Sequence, residues 1–303
     1  MKTDTISELF EGGGIVIHKS KNESIFDLLY KEVVALFEMH GVILFRDFEL
    51  DANILTQFTD LYTEKYSGDA NRREKRFNNK YIRNVDYGLE EALLHSESSF
   101  APSFPEIIWL FCNTPATVGG ETILCDGLKL WNMLSSKIKQ FFLSEQIHYE
   151  IKIPVIRKQN KKVKKPWLLP IIGSGYGFIN YRDGCLYTVQ KRYAVHEARI
   201  GGRYVFANHL MSINAEPQII SGTLSDGSEI PDYIYNEIKD LSDQFTFEHV
   251  WQKNDLIMVD NKRFMHGRRL IVEDDPRDIV IVQSQRASFG YGSTTRKTLN
   301  DIS

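Results

Sequence analysis

The residues of this sequence best suited to chemistry are the triplet His95-Ser96-Glu97 and, far downstream, His266 and Arg277. On a β-strand, side chains two residues apart share a face, so a strand over Leu93 to Glu97 would present His95 and Glu97 together. A histidine returning from a distant strand would complete a set of two imidazoles and one carboxylate. Those donors occupy one face of a metal and leave the opposite positions open, an arrangement that suits ferrous iron in oxygen chemistry. Arg277, eleven residues after His266, could then grip the far carboxylate of a keto-acid co-substrate with its planar fork. The same donor types also make a catalytic zinc site, so a metal-dependent hydrolase stands beside the oxygenase reading. A third reading is a ligand-binding protein without catalysis. Taken alone, H-x-E is more often a core histidine next to a solvated acid.

Placing these side chains takes a framework of strands, which the hydrophobic pattern supplies. A helix is predicted from Ser24 to about Met39, with Ser24 and Asp27 as a capping pair and Gly41 as terminator. Val42 to Phe45 reads as a buried strand, and Asp51 caps a second helix through about Tyr62. The polar stretch from Gly68 to Asn79 reads as a loop over the site. Strands are predicted over Tyr81 to Val85, Leu93 to Glu97 and Glu106 to Cys112, then a turn from Pro115 to Gly120 and a helix from about Leu128 to Phe142. Residues 151–157 and 168–182 read as strands around a basic insertion at about 157–166, taken as a solvated hairpin tip. Pro231 starts a helix through about Leu241, and the last third offers strands over Phe245 to Val250, Asp255 to Val259 and Asp278 to Ser284. The absence of any linker or repeat points to one α+β domain over 1–303, with a helical N-terminal part at about 1–65 and an antiparallel core.

Composition removes several function classes. With 42% hydrophobic and 25% charged residues, the chain can fill a sizeable core. A net charge of −3 provides no global field for nucleic acid or an acidic membrane. No apolar run approaches the roughly 18–20 residues that cross a bilayer, and the start lacks a secretory pattern. The odd trio Cys112, Cys125 and Cys185 has no metal-finger spacing and reads as buried reduced thiols. These features predict a cytoplasmic enzyme acting on a small molecule, with its oligomeric state undetermined.

Further motifs fall in a specific order: Gly119-Gly120-Glu121-Thr122, the turn and strand Asn254 to Asn261 leading to Met265-His266-Gly267-Arg268, and the turn Asp274-Asp275-Pro276-Arg277. With His95 and Glu97, and with His40 to Arg46 as an early strand, the chain resembles the TauD/TfdA family of Fe(II)- and 2-oxoglutarate-dependent oxygenases over about residues 35–290. The resemblance implies a double-stranded β-helix, or jelly roll, core with surrounding helices. It also implies His95, Glu97 and His266 as catalytic iron ligands. Thr122 and Arg277 become contacts to the distal carboxylate of 2-oxoglutarate, with Fe(II), 2-oxoglutarate and dioxygen as cofactor and co-substrates. Substrate contacts are expected from Arg83, Phe100, Phe264 and Arg268, with Trp109 a further wall residue. Ile281 stands where sulfonate-binding members carry a second arginine, which argues against taurine, and Glu97 argues against halogenation. Arg263 to Arg268 and the stretch after Arg277 resemble the PvcB-like isonitrile-biosynthesis branch. That branch implies desaturation or decarboxylative olefination of a tyrosine-derived isonitrile in secondary metabolism. Hydroxylation of an amino-acid-like substrate is the alternative within the family.

Overall fold

The computed structural model describes residues 6–11, 13–68, 73–85, 88–154, 179–198, 202–216, 218–272 and 275–290. Its main sheet runs, edge to edge, through Ile6–Phe10, Gly13–His18, Val42–Arg46, Leu256–Asp260, Ile107–Thr114, Asp278–Ala287 and Thr63–Tyr66, with Arg83–Asn84 also paired to Asp278–Ala287. Pairing is antiparallel except between Gly13–His18 and Val42–Arg46. A second, four-stranded sheet orders Phe247–His249, Thr122–Asp126, Phe264–Arg268 and Ala92–His95.

Strand periodicity decides which core each side chain joins. On Val42–Arg46, Ile43 and Phe45 point to one side of the main sheet, where Trp109 and Met258 meet Phe37 and Phe58 from two outer helices. Val42 and Leu44 point to the other side and pack with Ile257 and Ile281 against Leu124 and Phe264 of the second sheet. Central strands buried on both faces therefore read as continuous apolar runs. The two sheets facing one another across this layer form the jelly roll, with helices outside. A third sheet of Ile179–Arg182, Cys185–Arg192, Ile147–Pro154 and Ile219–Thr223 extends the molecule over a separate apolar cluster that includes Phe142, Phe206 and Ile234.

Several elements depart from expectation for local reasons. The first predicted helix is two pieces: Ser24 and Asp27 form the capping box of a 3₁₀ turn at Ile25–Asp27, and the α-helix is Tyr30–His40. Gly41 ends it at φ 74, with its N–H bonded to Phe37 O. The helix expected from Leu128 splits into Gly127–Met133 and Ser136–Ser144, because Ser135 caps a new start. The N-terminal part is not simply helical: Ile6–Phe10, Gly13–His18 and Val42–Arg46 belong to the main sheet. Residues 155–178, which hold the basic insertion and parts of two predicted strands, lie outside the described residues. Among the described residues no helix is long and apolar enough to cross a membrane. The three cysteines are buried free thiols, and burial pushes Cys112 and Cys125 up to about 12.

Candidate active site

The second sheet assembles the histidines. His95 is the last residue of Ala92–His95, and His266 lies directly opposite it on Phe264–Arg268. Their rings are 4.4 Å apart. His95 Nδ1 lies 2.8 Å from Leu93 O. A carbonyl only accepts, so Nδ1 is the donor of this bond and Nε2 is the nitrogen left for a metal. His266 is neutral, since burial and then the neighbouring His95 lower its pKa well below the usual range.

Glu97 reaches the same point by a different route from the one predicted. The strand stops at His95, and Glu97 sits in the turn that follows, beside Ser98 at φ 55. The buried Asn261 holds that turn. It accepts from Glu97 N at 2.7 Å and donates to Glu97 O at 3.1 Å and Pro105 O at 2.8 Å. Burial alone would raise the Glu97 carboxyl, but Arg73, then His95 and His266, outweigh it and hold the group at about 2. Arg73 donates to both carboxylate oxygens at 3.2 and 3.0 Å, and Arg83 Nη1 supports the Arg73 carbonyl at 3.1 Å. The donor atoms of His95, Glu97 and His266 all lie within 4.8 Å of one another. This set fits a ferrous ion: two imidazoles and one ionised carboxylate converge on a single point.

A narrow cavity adjoins these three. Thr122, Arg268 and Arg277 border it, and Leu110, Ile279 and Ile281 give it an apolar wall. Arg277 Nε donates to Gly120 O at 3.0 Å. Both turn glycines are required: Gly119 and Gly120 have φ 71 and 68, and added Cβ atoms would lie 2.4 Å from Leu270 O and 2.9 Å from Arg277 Cδ. Of Arg263, Arg268 and Arg269, which are close in sequence to His266, only Arg268 borders the cavity, held by Gly88 O and Glu90 O. Arg263 pairs with Asp126, and Arg269 with Glu91 and Glu248.

The expected aromatic wall is largely elsewhere. Phe264 is fully buried between the sheets against Phe10 and Gly41 and does not border the cavity. Trp109 lies on the far side of the main sheet, donating to Ser284 Oγ at 3.0 Å. Phe100 meets the site through His209, whose ring is 4.9 Å from Phe100 and 5.1 Å from His95. Arg83 acts on Arg73 and does not itself border the cavity. Sequence reading missed Arg73, His209 and Asn261. Arg73 fell in the loop expected over the site, and Asn261 directly follows the strand Leu256–Asp260.

A jelly roll carrying two histidines and one carboxylate beside an arginine-lined cavity defines the class as a non-haem, metal-dependent oxygenase. The chain belongs to the taurine catabolism dioxygenase TauD, TfdA family, whose profile matches residues 8–283. It is accordingly a dioxygenase using Fe(II), 2-oxoglutarate and dioxygen. No curated protein matches it by sequence. Among solved structures, it is similar to a putative alpha-ketoglutarate-dependent taurine dioxygenase from Burkholderia xenovorans, with TM-score 0.63, 13% identity and coverage of 92% of this chain and 91% of that one. PvcB from Pseudomonas aeruginosa matches with TM-score 0.60, 14% identity and coverage of 89% and 85%. AAD-2, solved with Mn(II) and N-oxalylglycine, matches with TM-score 0.58, 16% identity and coverage of 93% and 98%.

Proposed function

We propose that this enzyme oxidises a C–H bond of a small molecule, with His95, Glu97 and His266 binding the iron and Thr122 and Arg277 taking the distal carboxylate of 2-oxoglutarate. The observation that carries this reading is the cross-strand pairing of His95 with His266, with the Glu97 carboxylate within 4.8 Å of both. Iron, with 2-oxoglutarate and dioxygen, supplies the oxidising power to remove or replace a C–H hydrogen. The protein's part is placement. His95 offers Nε2 because Leu93 holds its other nitrogen, and Asn261 fixes the backbone that presents Glu97. The apolar side chains of Leu110, Ile279 and Ile281 limit water around the reacting groups.

The cavity border carries three guanidiniums, Arg73, Arg268 and Arg277, against the single carboxylate of Glu97. That balance favours anionic ligands and supports a carboxylate-bearing substrate as well as the keto acid. The resemblance around Arg263 to Arg268 supports a tyrosine-derived isonitrile acid, desaturated or decarboxylated to an alkene, in secondary metabolism. PvcB itself is described as an Fe, alpha-ketoglutarate dependent oxygenase from an isonitrile synthetic pathway. Hydroxylation of an amino-acid-like substrate uses the same placement.

The test is succinate formation from 2-oxoglutarate with Fe(II) and dioxygen, with and without the isonitrile acid and free aromatic amino acids. Turnover should need both Fe(II) and dioxygen, rise with the true substrate and vanish in His266→Ala. Full turnover in that variant would remove His266 from the metal site, and hydrolysis that ignores dioxygen would replace the reading altogether.

A further inference from the structure

Thr122 faces two ways. It borders the cavity with Arg277, and its Oγ accepts a hydrogen bond of 3.0 Å from Trp251 Nε1. An indole nitrogen can only donate, so this bond occupies a lone pair of the threonine and leaves its own O–H to point elsewhere. Both residues are buried, at 4% and 6% exposure, and the Trp251 bond is the sole hydrogen bond of the Thr122 hydroxyl among the described residues. We infer that Trp251 is a positioning residue: by donating to Thr122 it turns the threonine O–H toward the cavity, where it and Arg277 form a two-donor cradle for a carboxylate. The inference rests on the reading of Thr122 and Arg277 as the co-substrate's carboxylate site.

Trp251 is itself held by a buried polar relay. Its ring meets His249 edge-on, with centroids 4.6 Å apart and planes at 86°. His249 Nε2 is 3.1 Å from Asp255 Oδ2, and Arg46 grips both Asp255 oxygens at 2.9 and 2.7 Å. Gln252 N also donates to Asp255 at 2.9 Å, closing the loop that carries Trp251. His249 stands directly opposite Thr122 in the second sheet, so the relay and the hydroxyl it orients share one rigid register. An indole in this position fixes the polarity of the hydroxyl, which a phenyl ring of similar bulk cannot do.

The experiment titrates 2-oxoglutarate into the anaerobic, Fe(II)-loaded full chain and follows the metal-to-ligand charge-transfer absorption. Trp251→Phe should weaken 2-oxoglutarate binding by about three- to tenfold, the worth of one misdirected hydrogen bond, and leave Fe(II) affinity unchanged. Combined with Thr122→Val, it should add no further loss, since no hydroxyl remains to orient. Wild-type affinity in Trp251→Phe, or an equal loss in the Thr122→Val background, would overturn the inference and leave Trp251 as packing. A wild type that binds Fe(II) but shows no band with 2-oxoglutarate would sink the co-substrate reading and this one with it. A second measurement does not depend on how Trp251→Phe folds. Of the four indole N–H resonances of the ¹⁵N-labelled chain, one should move upfield in Thr122→Val. If none moves, the Trp251 bond does not exist in solution.

Discussion

Arginine and lysine would bring the same charge to position 277 but not the same shape. Arg277 borders the cavity with Nε committed to Gly120 O at 3.0 Å, so the rest of its planar fork is aimed by that bond. Lysine offers a point charge and cannot keep both contacts. Arg277→Lys should weaken 2-oxoglutarate binding by roughly 10- to 150-fold, on the order of 1.5–3 kcal/mol. Fe(II) binding should survive, and equal co-substrate affinity in an anaerobic titration would remove Arg277 from the site. Residue type and spacing picked out His95, Glu97, His266 and Arg277, the family resemblance added Thr122, and all five border the cavity. Arg73, Asn261 and His209 were illegible for the opposite reason. Their roles come from contacts across 24, 164 and 113 residues of chain respectively, and nothing local announces them.

Elements explain where the sequence pattern led correctly and where it slipped. The alternation rule predicted one strand presenting His95 and Glu97, but the ladder ends at His95 and a turn held by Asn261 delivers the carboxylate. A tertiary hydrogen bond did what strand geometry was expected to do. The apolar runs Val42 to Phe45 and Leu256 to Val259 were legible because both faces are buried. The edge strands Ile6–Phe10 and Thr63–Tyr66 carry only exposed and half-buried positions, Cys185–Arg192 mixes exposed and buried ones, and all three were missed. The Arg46–Asp255–His249 relay, which ties the main sheet to the second, yields a stability prediction. Burial would raise the Asp255 carboxyl, but hydrogen bonds from His249, Arg46 and Gln252 outweigh it and hold the group below its usual range. A carboxyl depressed in the folded state adds stability that is complete above the unfolded value of about 4 and fades as pH falls through the lower folded value. Asp255→Asn should therefore cost about 3–5 kcal/mol at neutral pH, the price of breaking a buried pair. Denaturant melts should show the gap closing below about pH 4. A gap that stays constant down to pH 2 would mean that the relay is not charged in the folded protein.

At the scale of the whole molecule, the two facing sheets bring chemistry from four distant stretches of chain to one cavity. The second sheet supplies His95, His266 and Thr122, the main sheet supplies the apolar wall, and the turn before its strand Asp278–Ala287 supplies Arg277. With a net charge of −3 overall, the cationic border of this cavity is a local feature, set against the molecule's own sign, and it marks where anions belong. On the proposed reading, His95, Glu97 and His266 together hold one iron that 2-oxoglutarate then joins. The most direct measurement is the visible absorption of the anaerobic protein as Fe(II) and then 2-oxoglutarate are added, for the wild type and for His266→Ala. A metal-to-ligand charge-transfer band should appear in the wild type at one iron per chain and be absent in His266→Ala. An equal band in both, or no band in a wild type shown to bind the iron, would contradict that reading.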